Sequence, residues 1–146
     1  MDEKTNDLES MLTSLDNIND LNKFLITKQK SLDTLNFSEY FSNLCIEKNL
    51  KKSTIINDSN ISRSYCYEIL RGDKIPDRDN ALKLCIAASL SLAETNRILK
   101  LTNNGILYSK NSRDAILIFC IAKSYTLMQT DFTLDDNDLK TLINCN

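Results

Sequence analysis

Between Leu50 and Gly72 the chain reads LKKSTIINDSNISRSYCYEILRG, the most informative stretch of the sequence. It predicts two short helices joined by a tight turn. Asn60 sits in the turn, where a positive φ is wanted and Asn tolerates it better than most residues with a side chain. Ser62 follows as a helix N-cap, its hydroxyl placed to satisfy an orphan backbone N–H. Arg63, Ser64, Tyr65, Tyr67 and Glu68 then occupy the first two turns, while Cys66, Ile69 and Leu70 form an apolar stripe at i, i+3, i+4. Gly72 stops the helix, and Pro76 prevents a simple continuation. A short helix, a turn and a second helix with a polar N-terminal face is the geometry that enters a DNA major groove.

The rest of the chain leaves little room for anything but helices. Two glycines and one proline in 146 residues supply few hairpin turns, and no run of alternating apolar residues reads as a strand. The fold class is therefore all-α. Nothing approaches the roughly 20 apolar residues of a membrane span, and the acidic, polar N-terminus lacks a signal-peptide pattern, so a soluble, cytoplasmic protein is expected. Cys45, Cys66, Cys85, Cys120 and Cys145 form no C-x-x-C pair, and the chain has no histidine to complete a zinc site. The first four fall on apolar helical faces, where a free thiol behaves as a small hydrophobe. No cofactor, metal or catalytic residue is expected. Without histidine, a Gly-rich phosphate loop or a nucleophile elbow, an enzyme is the weakest class, and Asp135-Asp136 reads as a solvated acidic pair.

Helical spacing divides the chain into three parts. Residues 1–35 carry Leu8, Met11, Leu12 and Leu15, then Ile18, Leu21, Phe24 and Leu25, with Asn17 and Asp20 as a capping box between two amphipathic helices. Residues 36–104 hold the core domain. Asn36 and Glu39 open a helix with Phe37, Tyr40, Phe41, Leu44 and Cys45; the turn-linked pair follows; Asp77 or a residue beside it caps an apolar helix over Ala81–Ala88. Ser91 and Glu94 cap the next, which ends near Asn103. Residues 105–146 form an extension in which Asn111 and Asp114 cap the run Ala115–Ala122. That run looks too apolar to face solvent, and a last helix holds Leu134, Leu139, Leu142 and Ile143. Charge follows the same division. Residues 38–123 carry thirteen Lys/Arg against nine Asp/Glu, whereas both flanks are acidic and the whole chain sums to −2.

Laid out this way, the chain resembles the Cro/repressor-type (XRE-family) helix-turn-helix regulators from about Phe37 to Leu101. The resemblance is carried by Ile61-Ser62-Arg63-Ser64, Ile69, Arg71-Gly72 and Pro76 at the spacing of the family's turn, recognition helix and following loop. Leu107–Asp114, leading into an apolar helix, looks like a clostridial-type variant with extra helices. The resemblance implies a lambda-repressor-like core of about five helices and sequence-specific binding of double-stranded DNA by a recognition helix at 62–71, for transcriptional regulation. It implies phosphate or base contacts from Lys51, Lys52 and Ser53. The recognition helix would present Ser62, Arg63, Ser64, Tyr65, Tyr67 and Glu68, and Lys74 and Arg78 would reach backbone phosphates from the loop. It also implies a homodimer on a palindrome, paired through the N-terminal helices or the C-terminal helical pair. The chain departs from the family at Lys52, where Gln is common, and at Ser59 and Ile56, where apolar and small residues are usual. Glu68 would bring a carboxylate towards a polyanion. These departures, with the acidic ends, fit an alternative: an adaptor of the same fold that binds a regulatory protein partner and has weak or lost DNA binding. The competing structural reading of the Leu50–Gly72 motif is an ordinary helical corner in an all-α interaction domain.

Overall fold

Among the residues that the computed structural model describes (Thr13, residues 17–19 and residues 36–143) there is no strand, and seven helices lie between Phe37 and Asp136. By its contacts the chain divides into Met1–Leu35 and Asn36–Asn146. In the first unit, Thr13, Ile18 and Asn19 are helical and exposed, with a bend at Asn17. Leu8, Met11, Leu12, Leu15, Leu21, Phe24, Leu25 and Asp20, on which the expected N-terminal helices rest, lie outside the described residues, as does Cys145.

The second unit starts with α1 (Phe37–Glu47), capped by Asn36 Oδ1 accepting from the Glu39 N–H, with Phe37, Phe41, Leu44 and Cys45 buried. Two short helices follow, α2 (Lys52–Asp58) and α3 (Arg63–Arg71). Next come α4 (Arg78–Ala87), capped by Asp77, and α5 (Leu92–Leu101), opened by a complete Ser91/Glu94 capping box. The last two are α6 (Ser112–Ala122), capped by Asn111, and α7 (Leu127–Asp136). The centre is α4. It packs against α2, α5 and α7, and Ala81, Leu82, Leu84 and Cys85 are fully buried. Burial pushes the Cys85 thiol up to about 12, leaving it a small apolar filler. Cys45, Cys66 and Cys120 are likewise free and buried.

Scarce glycine forces an unusual way of ending helices. Asn49, Ser89, Asn103, Ser124 and Asp138 all adopt positive φ directly after a helix. Each donates its N–H three residues back, and the following N–H reaches five residues back, as in Leu50 N–H to Cys45 O and Leu90 N–H to Cys85 O. This is the closure that glycine usually provides. The left-handed conformation strains serine more than asparagine, so Ser89→Gly is expected to raise stability by about 0.5–1 kcal/mol in a urea melt. Gly72 ends α3 in the same way with φ 88, and a Cβ there would lie 2.9 Å from Ser38 Oγ. Gly72→Ala should therefore lower stability by about 1–2 kcal/mol, read in the same melt.

Residues 105–143 complete the core rather than standing beside it. Leu107, Leu117, Leu127, Leu134 and Leu142 share one buried cluster with Phe41 and Leu82. Two expectations for this segment are corrected. The last helix begins at Leu127 behind a Thr126/Gln129 capping box and ends at Asp136, so it holds Leu134 but not Leu139, Leu142 or Ile143. Asp138 turns the chain back, and the Asp131 carboxylate accepts from the Leu142 and Ile143 N–H groups at 2.7 and 2.9 Å. Nor is the Ala115–Ala122 run enclosed. Leu117, Cys120 and Ile121 are buried, but Phe119 is 49% exposed because only one stripe of α6 meets neighbouring helices.

Candidate nucleic-acid interface

The segment that carries the sequence argument folds as α2, residues 59–62 and α3. Asn60 takes φ 55, Ser62 occupies the N-cap and Gly72 the left-handed C-cap. The two helices are joined through Ile55, Ile56, Ile61 and Cys66, all buried. Ser59 is also fully buried, and its hydroxyl donates to the Ile56 carbonyl at 3.0 Å, so a polar side chain at this position is satisfied locally.

Ser62 does not cap with its side chain: the hydroxyl makes no capping bond, which corrects the expectation for that residue. Neither does Lys51 cap α2, and neither helix has an acidic residue in its first turn. Of the seven helices between Phe37 and Asp136, the other five are capped by a side chain, four of them with an Asp or Glu in the first turn as well. The amino end of α3 thus keeps its free N–H groups and partial positive charge.

The sequence-selected residues divide into three groups. Lys51, Lys52 and Ser53 are exposed at the start of α2, and Ser62, Arg63, Ser64 and Tyr67 are exposed along the first turns of α3. The Arg63 guanidinium lies 5.6 Å from the centre of the Tyr67 ring, with Nη2 3.5 Å from the phenol oxygen, so the pair stacks one helical turn apart on the outer face. A second group is paired within itself. Lys74 Nζ is 3.1 Å from Glu68 and 5.8 Å from the centre of the Tyr65 ring, which packs partly against the core. The Glu68 carboxylate is thereby neutralised, and Lys74 brings little net charge of its own.

Arg78 forms the third group, and it faces elsewhere. It is the first residue of α4, not a loop residue, and its guanidinium grips the buried Asp114 carboxylate through two 2.8 Å hydrogen bonds. Further bonds to the Gly105 and Ile106 carbonyls engage four of its five donors. Next to it Arg113 binds Asp79 at 2.9 and 3.2 Å and also donates to the Lys140 and Thr141 carbonyls. Two Arg-Asp dipeptides, 78–79 and 113–114, thus bind each other crosswise where α4 and α6 begin. The repeated dipeptide is visible in the sequence, but Asp114 was read there only as the partner of the Asn111 cap. Asn111 does accept from the Asp114 N–H; the Asp114 side chain instead takes the Tyr108 N–H and Arg78. Burial pushes the Asp114 carboxyl up, but the hydrogen bonds from Arg78 and Tyr108 and the charges of Arg78 and Arg113 outweigh it and hold the group below its usual value.

No helix among the described residues is long and apolar enough to cross a membrane. No family model, curated protein or solved structure matches the chain.

Proposed function

We propose that this protein is a double-stranded DNA-binding transcriptional regulator that lays α3 in the major groove, in the manner of the Cro/repressor-type family it resembles. One observation carries the reading: α3 presents Ser62, Arg63, Ser64 and Tyr67 on an exposed face at a helix start with neither a side-chain cap nor an acid. Such a face donates hydrogen bonds to phosphates and base edges while carrying positive charge. Lys51 and Lys52 on α2 supply backbone neutralisation, and the Glu68–Lys74 pair removes the carboxylate that would otherwise oppose a polyanion. The regulator acts in the cytoplasm, where the free thiols of Cys45, Cys66, Cys85 and Cys120 are kept reduced, and works as a homodimer on a two-fold site.

Selection of duplexes from a random pool, followed by a salt titration of the enriched site, tests this. With Lys51, Lys52 and Arg63 as the contributing cations, log K should fall against log salt with a slope of about −2.7 per subunit. No enrichment, together with a flat salt response, would sink the reading. The adaptor alternative keeps the same fold but turns it to a regulatory protein. It is favoured by the acidic pI of about 5.2, which reduces attraction to DNA.

A further inference from the structure

The outward face of α6 and α7 is more apolar than a solvated surface requires. Phe119 is 49% exposed, Met128 80% and Phe132 73%. The Phe119 and Tyr125 rings meet edge to face at 5.8 Å, and Tyr125, Met128 and Phe132 line a shallow cleft of about 350 Å³ together with Gln129 and Thr133. The four apolar side chains form one continuous patch. The buried face of α7 carries Leu127, Thr130 and Leu134, so Met128 and Phe132 belong to the opposite face, along which Asp135 and Asp136 follow at helical spacing.

The charges at the two ends of this patch identify what covers it. At one end Lys123 directly follows α6, its Nζ 5.8 Å from the Phe119 ring centre. At the other end Asp135 and Asp136 stand exposed in the last turn of α7, which has no basic residue and where a helix is least favourable to negative charge. Among the described residues neither aspartate forms an ion pair. The patch is therefore basic at its start, acidic at its finish and apolar between. A surface of that pattern complements itself when turned through a half-rotation.

We propose that a second copy of this chain docks here, with the two α7 helices antiparallel about a two-fold axis passing between Met128 and Phe132. Met128 of each copy then meets Phe132 of the other, and Lys123 of each lies beside the Asp135 and Asp136 of its mate. The antiparallel arrangement also sets the negative end of each α7 against the positive end of the other, offsetting the unfavourable placement of the two aspartates. The pairing deepens the homodimer part of the proposed function and rests on that part alone, not on the binding of DNA.

Sedimentation velocity of the full chain without DNA tests it. The wild-type protein should sediment as a dimer. Phe132→Glu, at an exposed position, should yield a monomer with unchanged helical circular dichroism and melting temperature. Lys123→Glu should weaken dimerisation by at least about tenfold, since a two-fold interface counts each substitution twice. Adding Asp135→Lys and Asp136→Lys to the Lys123→Glu chain should restore it. A wild-type monomer, a dimer indifferent to Phe132→Glu, or a charge exchange that restores nothing would each overturn the proposal. A wild-type monomer whose melting temperature falls on Phe132→Glu would overturn it by showing that the chain's own residues cover the patch. A dimer that ignores every duplex offered would refute the DNA reading and leave this surface supported, whereas a monomer that binds duplex would do the reverse.

Discussion

Replacing Asp114 by alanine is expected to destabilise the fold by about 2–4 kcal/mol, the largest effect of any single polar substitution in the described core. The carboxylate is almost enclosed, with 8% of its side-chain surface exposed, and it receives both terminal nitrogens of Arg78 and the Tyr108 N–H. Its loss strands a guanidinium whose side chain is only 28% exposed, and leaves the Tyr108 N–H without its acceptor. Urea denaturation measures the cost directly. Removing both partners, Arg78→Met with Asp114→Leu, should cost less than Asp114→Ala alone, because no charge is then left unpaired. The same carboxylate makes stability depend on acid. Its folded value lies below the unfolded one, so its contribution is complete above the unfolded aspartate value of about 3.9 and disappears as pH falls through the lower, folded value. In Asp114→Asn that share of the acid loss below about pH 4 should vanish from a series of melts. A wild-type acid profile in the substituted chain would show that Asp114 does not govern it.

On DNA, Arg63→Ala should cost about 1–3 kcal/mol at a single base position and relax the preference there, if its contact with a guanine edge is bidentate. The folded chain should scarcely notice, since Arg63 is exposed and its partner Tyr67 lies on the same outer face. Lys52→Ala should weaken all duplexes alike and reduce the salt slope by about one. Arg78→Ala makes a useful contrast. The family resemblance placed Arg78 at the phosphates, but its four engaged donors hold α4 to Asp114 and to the segment before α6. It should lower the melting temperature and leave DNA affinity unaltered where the protein stays folded. If Arg63→Ala and Lys52→Ala change nothing on any duplex, and substitutions in the acidic segment 1–35 abolish a protein complex, the adaptor reading replaces the regulatory one.

What the sequence determined by itself lies within a few residues of each element. Asn36, Ser91 and Asn111 cap the helices they were expected to cap, and of the residues offered for α4 it is Asp77 that does so, each accepting from the N–H three residues on. Asn60 and Gly72 adopt the positive φ that the turn and the helix end required. Such choices are legible because a capping bond or a left-handed turn involves atoms three to five residues apart, and local chemistry settles them before anything packs. The capping of α7 was legible on the same terms in Thr126 and Gln129, but the spacing of Leu134, Leu139 and Leu142 concealed it, because the chain doubles back to bury Leu142. Tertiary structure decided the rest. Arg78 finds Asp114 across 36 residues and Arg113 finds Asp79 across 34, pairings that exist only once α4 and α6 have been brought end to end. It also decided that Lys74 spends its charge on Glu68 and that Phe119 faces outward. Periodicity states how apolar a helix is; only the helices packed around it determine which of its sides is covered.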